Sequence, residues 1–185
     1  MIVRLVGSEM CIRDRNENMS LNAAYFDSEQ VRAERDNDTG ETSEVRGLTV
    51  DGFEIELKGR VNDGLNLAIA YSDLSGETSS GGIPREIPEH TLSAFAAWEV
   101  NEKLSVALGL TQQGESKIKD NTPGLVLPEY TRVDLSAYYQ VAPNLSVQMN
   151  VENLMDELYF PHSHSTHQAS VGESVNSRVS LRWTY

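Results

Sequence analysis

Three histidines in one short run, His162, His164 and His167 in HSHSTH, are the residues of this sequence best suited to ligand chemistry. Clustered imidazoles can ligate metals. Acidic partners are scarce around them, however, and they sit in a polar stretch with no periodic element to fix their geometry. The readings that follow are an ordinary polar loop or, from that loop, contact with a ligand, with no metal site, no cofactor site and no catalytic residue assigned. Elsewhere, no serine has a histidine and a carboxylate that the sequence places beside it, and His90 heads an extended segment, so no enzyme is expected. The lone cysteine, Cys11, excludes a disulfide framework and a thiolate zinc site. A second set, Arg132, Asp134, Glu152, Arg178 and Arg182, falls on the polar register of extended segments, where cross-strand ion pairing is the expected role.

The elements that position these residues have the strand period of two. Leu65, Leu67, Ile69 and Tyr71 alternate with Asn66, Ala68, Ala70 and Ser72, and Leu104, Val106, Leu108 and Leu110 alternate with Ser105, Ala107, Gly109 and Thr111. The pattern recurs through Val133 to Tyr139, Leu145 to Val151 and Val179 to Tyr185. It predicts about eight strands, near 19–28, 46–61, 65–74, 88–100, 103–114, 128–141, 145–160 and 174–185. On the second of these strands Phe53, Ile55, Leu57 and Val61 form an apolar face broken only by Gly59, while Glu54, Glu56, Lys58 and Arg60 form the other.

Composition narrows where such strands can live. Of 185 residues 28 are acidic and 15 basic, a net charge of −13, which argues against a protein that tracks nucleic-acid phosphates. Mean hydropathy is −0.40. No apolar run exceeds about five residues, against the roughly 20 that a transmembrane helix needs. A soluble β-domain or a transmembrane β-barrel remains, because a barrel hides its apolar content in alternation.

The connections favour the barrel. Tight turns at Asn62-Asp63-Gly64, Asn101-Glu102 and Ala142-Pro143-Asn144 alternate with long polar loops near 29–45, 75–87, 115–127 and 161–173. An up-and-down sheet gathers all the short connections at one end, as outer-membrane barrels do with their periplasmic turns and extracellular loops. Aromatics cluster near segment ends, at Tyr25, Phe26, Tyr71, Trp98, Tyr130, Tyr159, Phe160, Trp183 and Tyr185, as interfacial girdles require. Tyr138 and Tyr139 are adjacent and must face opposite sides. A β-propeller needs four strands per repeat, and two are present between successive tight turns.

Residues 1–15, MIVRLVGSEMCIRDR, lack the uninterrupted apolar stretch and small-residue cleavage site of a secretory signal. They resemble translated sequencing-adapter read-through and are expected to be a non-native leader, set aside in reading the fold, with residues 16–185 the native part.

Four segments in order carry a family resemblance. Arg46 to Leu57, with Gly52, Glu54 and Glu56, resembles the G-x-E-x-E hairpin of TonB-dependent receptors, and Pro88-Glu89-His90-Thr91 their P-x-H-T strand start. Pro128 to Leu135 is similar to their P-x-Y-x-x-x-D strand. Asn150-Val151-Glu152-Asn153-Leu154-Met155-Asp156-Glu157-Leu158-Tyr159 is similar to the box N-V-x-N-L-F-D-x-x-Y of the penultimate strand, with Met155 in place of Phe. The final alternation ending at Tyr185 looks like the terminal strand that outer-membrane assembly machinery recognises. Asn150, Asn153, Leu154, Asp156, Tyr159 and Tyr185 are therefore the family-motif positions. The resemblance implies an all-β, antiparallel, up-and-down transmembrane segment, the C-terminal part of a barrel of about 22 strands. It implies a Gram-negative outer membrane, a ferric siderophore as ligand, energy relayed by TonB, and as partners membrane lipid and the plug and preceding strands, no motif of which is present. Two alternatives stand beside it: a complete eight-stranded outer-membrane barrel, and a soluble or surface β-sheet binding module whose apolar faces pack on each other.

Overall fold

The computed structural model describes residues 3–15, 18–35, 40, 42–119 and 124–185. Its strands are β1 (Val3–Arg15), β2 (Met19–Arg35), β3 (Thr42–Asn62), β4 (Leu65–Thr78), β5 (His90–Asn101), β6 (Leu104–Gln113), β7 (Ser116–Lys117), β8 (Val126–Leu127), β9 (Tyr130–Ala142), β10 (Leu145–Glu152), β11 (His162–Ser165), β12 (Gln168–Ser170) and β13 (Asn176–Trp183). Nine of them form one antiparallel sheet in the order β1-β2-β3-β4-β5-β6-β9-β10-β13, so every long strand lies beside its chain neighbour. The pairs β7-β8 and β11-β12 are small hairpins inside loops.

Register turns the alternation of each strand into two continuous faces. Paired residues share a face. The partners Leu21↔Leu57, Leu57↔Ile69, Ile69↔Ala94, Ala94↔Leu110, Leu110↔Val133 therefore run as one apolar row across six strands. A second row follows Trp98↔Val106, Val106↔Ala137, Ala137↔Met149 and Met149↔Val179 to the last strand. The opposite face carries Asn22, Glu56, Ala70, Ser93, Thr111 and Arg132 in one row.

No second layer covers the apolar face. Among the described residues the only buried apolar side chains are Leu127, Tyr130, Val151 and Tyr159, while Ile55, Leu108, Val179, Leu181 and Trp183 are exposed. A binding module with mutually packed apolar faces is therefore not what this chain builds. The sheet is also open, since β1 and β13 are its two ends. A complete small barrel needs a closed sheet, and the described residues do not build one.

Three expectations change. The sheet has one more long strand than expected, because Val3–Arg15, left out of the strand reading on sequence, pairs with Ser20–Arg32. Main-chain hydrogen bonding at a sheet edge accepts any extended segment, whatever its origin. Second, most of the loop expected at 29–45 is a continuation of the β2-β3 ladder, out to Arg35↔Thr42. A tilted crossing of the apolar band uses about ten residues, so the 21 residues of β3 run far beyond it; in water neither face needs to be apolar and the period-two signal fades. The tips of the loops at 29–45 and 115–127, residues 36–39, 41 and 120–123, lie outside the described residues. Third, the strand expected over 145–160 ends at Glu152.

The aromatics sort by face. Phe53 and Tyr71 meet at 5.8 Å between ring centroids, and Tyr71 stacks on His90 at 6.5 Å, near the loop end of the apolar face. Trp98, Tyr139 and Trp183 lie on that face toward the turns. Phe26, Tyr130 and Tyr138 point to the polar face, and Tyr159 follows the end of β10, so Phe26, Tyr130 and Tyr159 leave the expected girdle.

Two of the three short turns share one device. The Asn62 side-chain oxygen accepts from the amides of Gly64 and Leu65, both at 3.0 Å. Asn101 does the same for Lys103 and Leu104 at 2.9 and 3.0 Å. Gly59, the break in the apolar face of β3, is required there: its φ is 152° and a Cβ would run into the Asn18 carbonyl.

Candidate functional site

The motif Asn150–Tyr159 builds a polar knot where β9, β10 and β13 end. β10 delivers Asn150, whose oxygen accepts from the Ser136 hydroxyl at 2.9 Å and from Gln148 at 3.2 Å on the polar face. The chain then leaves the sheet through Asn153 and Asp156, both in the left-handed region at φ 51° and 52°, which Asn and Asp tolerate better than other side-chain-bearing residues.

Asn153 is 1% exposed and uses its amide at every corner. Its NH2 group donates to the carbonyls of Glu157 at 2.9 Å and Glu173 at 3.0 Å, and its oxygen accepts from the Glu157 amide at 2.9 Å. Its own amide donates to Asp134 at 2.8 Å. Asp156 completes the join by accepting from the Val175 amide at 2.9 Å. The exit from β10 and the approach to β13 are thus tied together.

Tyr159 carries the knot inward. Its ring lies 4.8 Å from that of Tyr130, its hydroxyl accepts from Arg132 at 3.2 Å, and a Cβ on Gly172 would collide with it. Arg132 in turn grips both oxygens of Asp134, through Nε at 2.9 and 3.1 Å and Nη2 at 2.9 Å, and stands 4.0 Å from Glu152 on the neighbouring strand. The expected cross-strand pairing on the polar wall is present at Arg132–Glu152. Arg178 and Arg182 share that face, on β13, without an ion pair among the described residues.

The histidine run lies on the β11-β12 hairpin beyond the knot. His162, His164 and His167 are exposed, and Ser163 between the first two is buried. Among the described residues no group of three or more His, Cys, Asp or Glu side chains is placed to hold a metal ion. Ser163 is buried because a distant loop holds it. Its amide and hydroxyl donate to Glu86 at 2.7 and 3.1 Å, and Arg85 donates to the Ser163 carbonyl at 2.8 Å and the His164 carbonyl at 3.4 Å. The Glu86 amide donates to the Lys117 carbonyl at 2.8 Å, which draws in the β7-β8 loop. The donated Ser163 amide holds the Glu86 carboxyl below the usual glutamate range, against the opposing effect of burial, with the Ser163 hydroxyl and Arg85 adding to it.

Of the family-motif positions, Asn150, Asn153, Asp156 and Tyr159 meet in or beside the knot. Leu154 extends the pairing at the start of β9 by donating its amide to the Val133 carbonyl at 2.7 Å. Tyr185 stands fully exposed past β13. Sequence reasoning missed Arg85, Glu86 and Gly172, whose partners lie 78, 77 and 13 positions away and carry no local periodicity.

Residues 12–154 match the family described as TonB dependent receptor-like, beta-barrel. This chain belongs to the TonB-dependent receptors. It is similar to the probable TonB-dependent siderophore receptor PiuA of Acinetobacter baumannii, 24% identical over 92% of this chain and 25% of that protein. It is similar also to the metal-pseudopaline receptor CntO of Pseudomonas aeruginosa, 26% identical over 97% of this chain and 27% of that protein. Among solved structures, the ferripyoverdine receptor of the outer membrane of Pseudomonas aeruginosa, bound to ferripyoverdine, superposes with a TM-score of 0.82 at 25% identity over 98% of this chain and 27% of that one. The chain thus spans about a quarter of the length of the curated relatives it matches. As a TonB-dependent receptor segment it is outer-membrane barrel wall, and the relatives it resembles are receptors rather than enzymes.

Proposed function

We propose that this wall belongs to a receptor that imports a ferric siderophore across the outer membrane with energy relayed through TonB. The observation that carries the reading is the open nine-stranded meander, apolar on one face and polar on the other, with its likeness to a receptor holding ferripyoverdine. In this reading β2 to β13 form the C-terminal stretch of the barrel, its partners are lipid outside and the plug and preceding strands of the same receptor, and the wall itself catalyses nothing. The knot residues Asn150, Asn153, Asp156 and Tyr159 shape the mouth, and His162, His164 and His167 contact the incoming complex as polar donors from the last extracellular loop. Residues 1–15 are a foreign leader taken up by the edge of β2; the genomic sequence upstream of codon 16 tests this, and an intact native frame through Met1 would contradict it.

Uptake of radiolabelled iron tests the function. Deleting the gene in its host is expected to abolish uptake of at least one ferric siderophore under iron limitation, and deleting tonB to abolish the same uptake. Unchanged uptake of catecholate, hydroxamate and mixed complexes in the deletion strain would overturn it.

A further inference from the structure

The last loop does not stand alone above its own strands. In the sheet order β4-β5-β6-β9-β10-β13, the loop between β4 and β5 and the loop between β10 and β13 are separated by roughly 14 to 24 Å of wall, at about 4.8 Å per strand. Yet Arg85 and Glu86 of the first hold Ser163 of the second through three hydrogen bonds of 2.7 to 3.1 Å. Between the knot and the hairpin, Tyr159 lies against Tyr130 and Arg132, both on the polar face, so the chain turns toward the lumen side before it crosses.

We propose that Arg85 and Glu86 are the positioning pair of the last extracellular loop, strapping the β11-β12 hairpin across the lumen side of the wall and fixing where His162 and His164 stand. This rests on the reading that those histidines contact the ligand. The chemistry of the strap suits that role. Glu86 sits at φ 57° and accepts twice from one residue, while Arg85 donates to the carbonyl of that same residue, so backbone and side chain of Ser163 are gripped from both polarities. A charged partner makes such bonds stronger than neutral ones. Among the described residues, charged or titratable groups beside the strap include Lys117, whose Nζ is held by Glu115 at 2.9 Å, and the two histidines that flank Ser163.

The strap has an acid limit. A carboxyl held below its ordinary range in the folded state contributes stability above the unfolded value and loses it as pH falls through the folded value. The strap is therefore closed at neutral pH and releases in acid.

Hydrogen exchange of the full chain folded in detergent micelles, corrected for intrinsic rates and read over residues 160–170, tests the strap. Glu86→Ala and Arg85→Ala are each expected to speed exchange of the Ser163 amide by about tenfold or more, with β9 and β10 amides unchanged. Glu86→Gln keeps an acceptor oxygen and is expected to retain part of the protection at pH 7 and to remove the acid-dependent release expected of the parent chain. A Ser163 amide that exchanges equally fast in the parent chain and in Glu86→Ala, or an acid response that survives Glu86→Gln, would overturn the strap. Binding of a ferric tris-catecholate to outer membranes bearing the receptor separates the strap from the reading beneath it. Weaker binding in His162→Ala with His164→Ala and in Glu86→Ala, restored in part by Glu86→Gln, is expected. Loss with the histidine variants alone overturns the positioning role; no loss with the histidine variants overturns ligand contact, while the exchange result still decides the strap.

Discussion

At the turn end of the wall, Asn62 and Asn101 each close a hairpin by accepting two amides from residues no more than three positions away. At the loop end, Asn153 ties together groups four and twenty positions away, and Glu86 binds a residue 77 positions away. The same side-chain chemistry thus serves opposite purposes. Short turns need only local satisfaction, because the strands they join are already side by side. Long loops would be free to move, and here buried amides and a charged strap convert them into a shaped rim. If this rim meets the ligand of the proposed function, the second way suits it, since loops ordered beforehand lose less entropy when a ligand arrives.

Substitutions at the two ends break or sharpen this contrast. The largest effect is expected for Asn153→Ala, which strands two carbonyls and an amide in a buried setting and places Ala at positive φ; a loss of about 2–4 kcal/mol is expected. Limited proteolysis of the folded chain, followed by mass spectrometry, should show cleavage moving into 153–175 while the sheet stays intact. Next comes Gly172→Val, whose side chain meets the Tyr159 ring; displacement of that ring is expected to cost about 1–3 kcal/mol and to lower the denaturant midpoint accordingly. The smallest is Asn101→Ala, an exposed turn with a local bond pair, at about 0.5–1.5 kcal/mol. Being distant, it should add to Asn153→Ala without coupling. An Asn101→Ala effect as large as that of Asn153→Ala would remove the distinction between the two ends.

The same contrast explains what could be read from the sequence. The apolar face was legible because alternation is a local property: Leu65, Leu67 and Ile69 share a face in any extended chain, and ladder pairing then aligns them with Ala94 and Leu108. The turns at Asn62 and Asn101 were legible for the same reason. The extension of β2 and β3 above the membrane was not, because both faces are wet there. Asn153, Asp156 and Tyr159 stood out by family resemblance, but their joint role is set by contacts with Asp134, Glu173, Val175 and Gly172 that no local spacing encodes. Arg85 and Glu86 lie in a polar stretch like many others and become distinctive only once the topology brings Ser163 to them.

The most direct test of the central claim, that the apolar face meets lipid, uses the only two tryptophans of the sequence, Trp98 and Trp183, both on that face toward the turn end. The chain is folded into bilayers whose lipids carry bromine at a shallow or a deep acyl position, and tryptophan fluorescence is read against aqueous iodide. Strong quenching by shallow bromine, weaker quenching by deep bromine and little response to iodide are expected for a lipid-facing interfacial girdle. Efficient quenching of both tryptophans by iodide, with no response to bromine at either depth, would contradict the account.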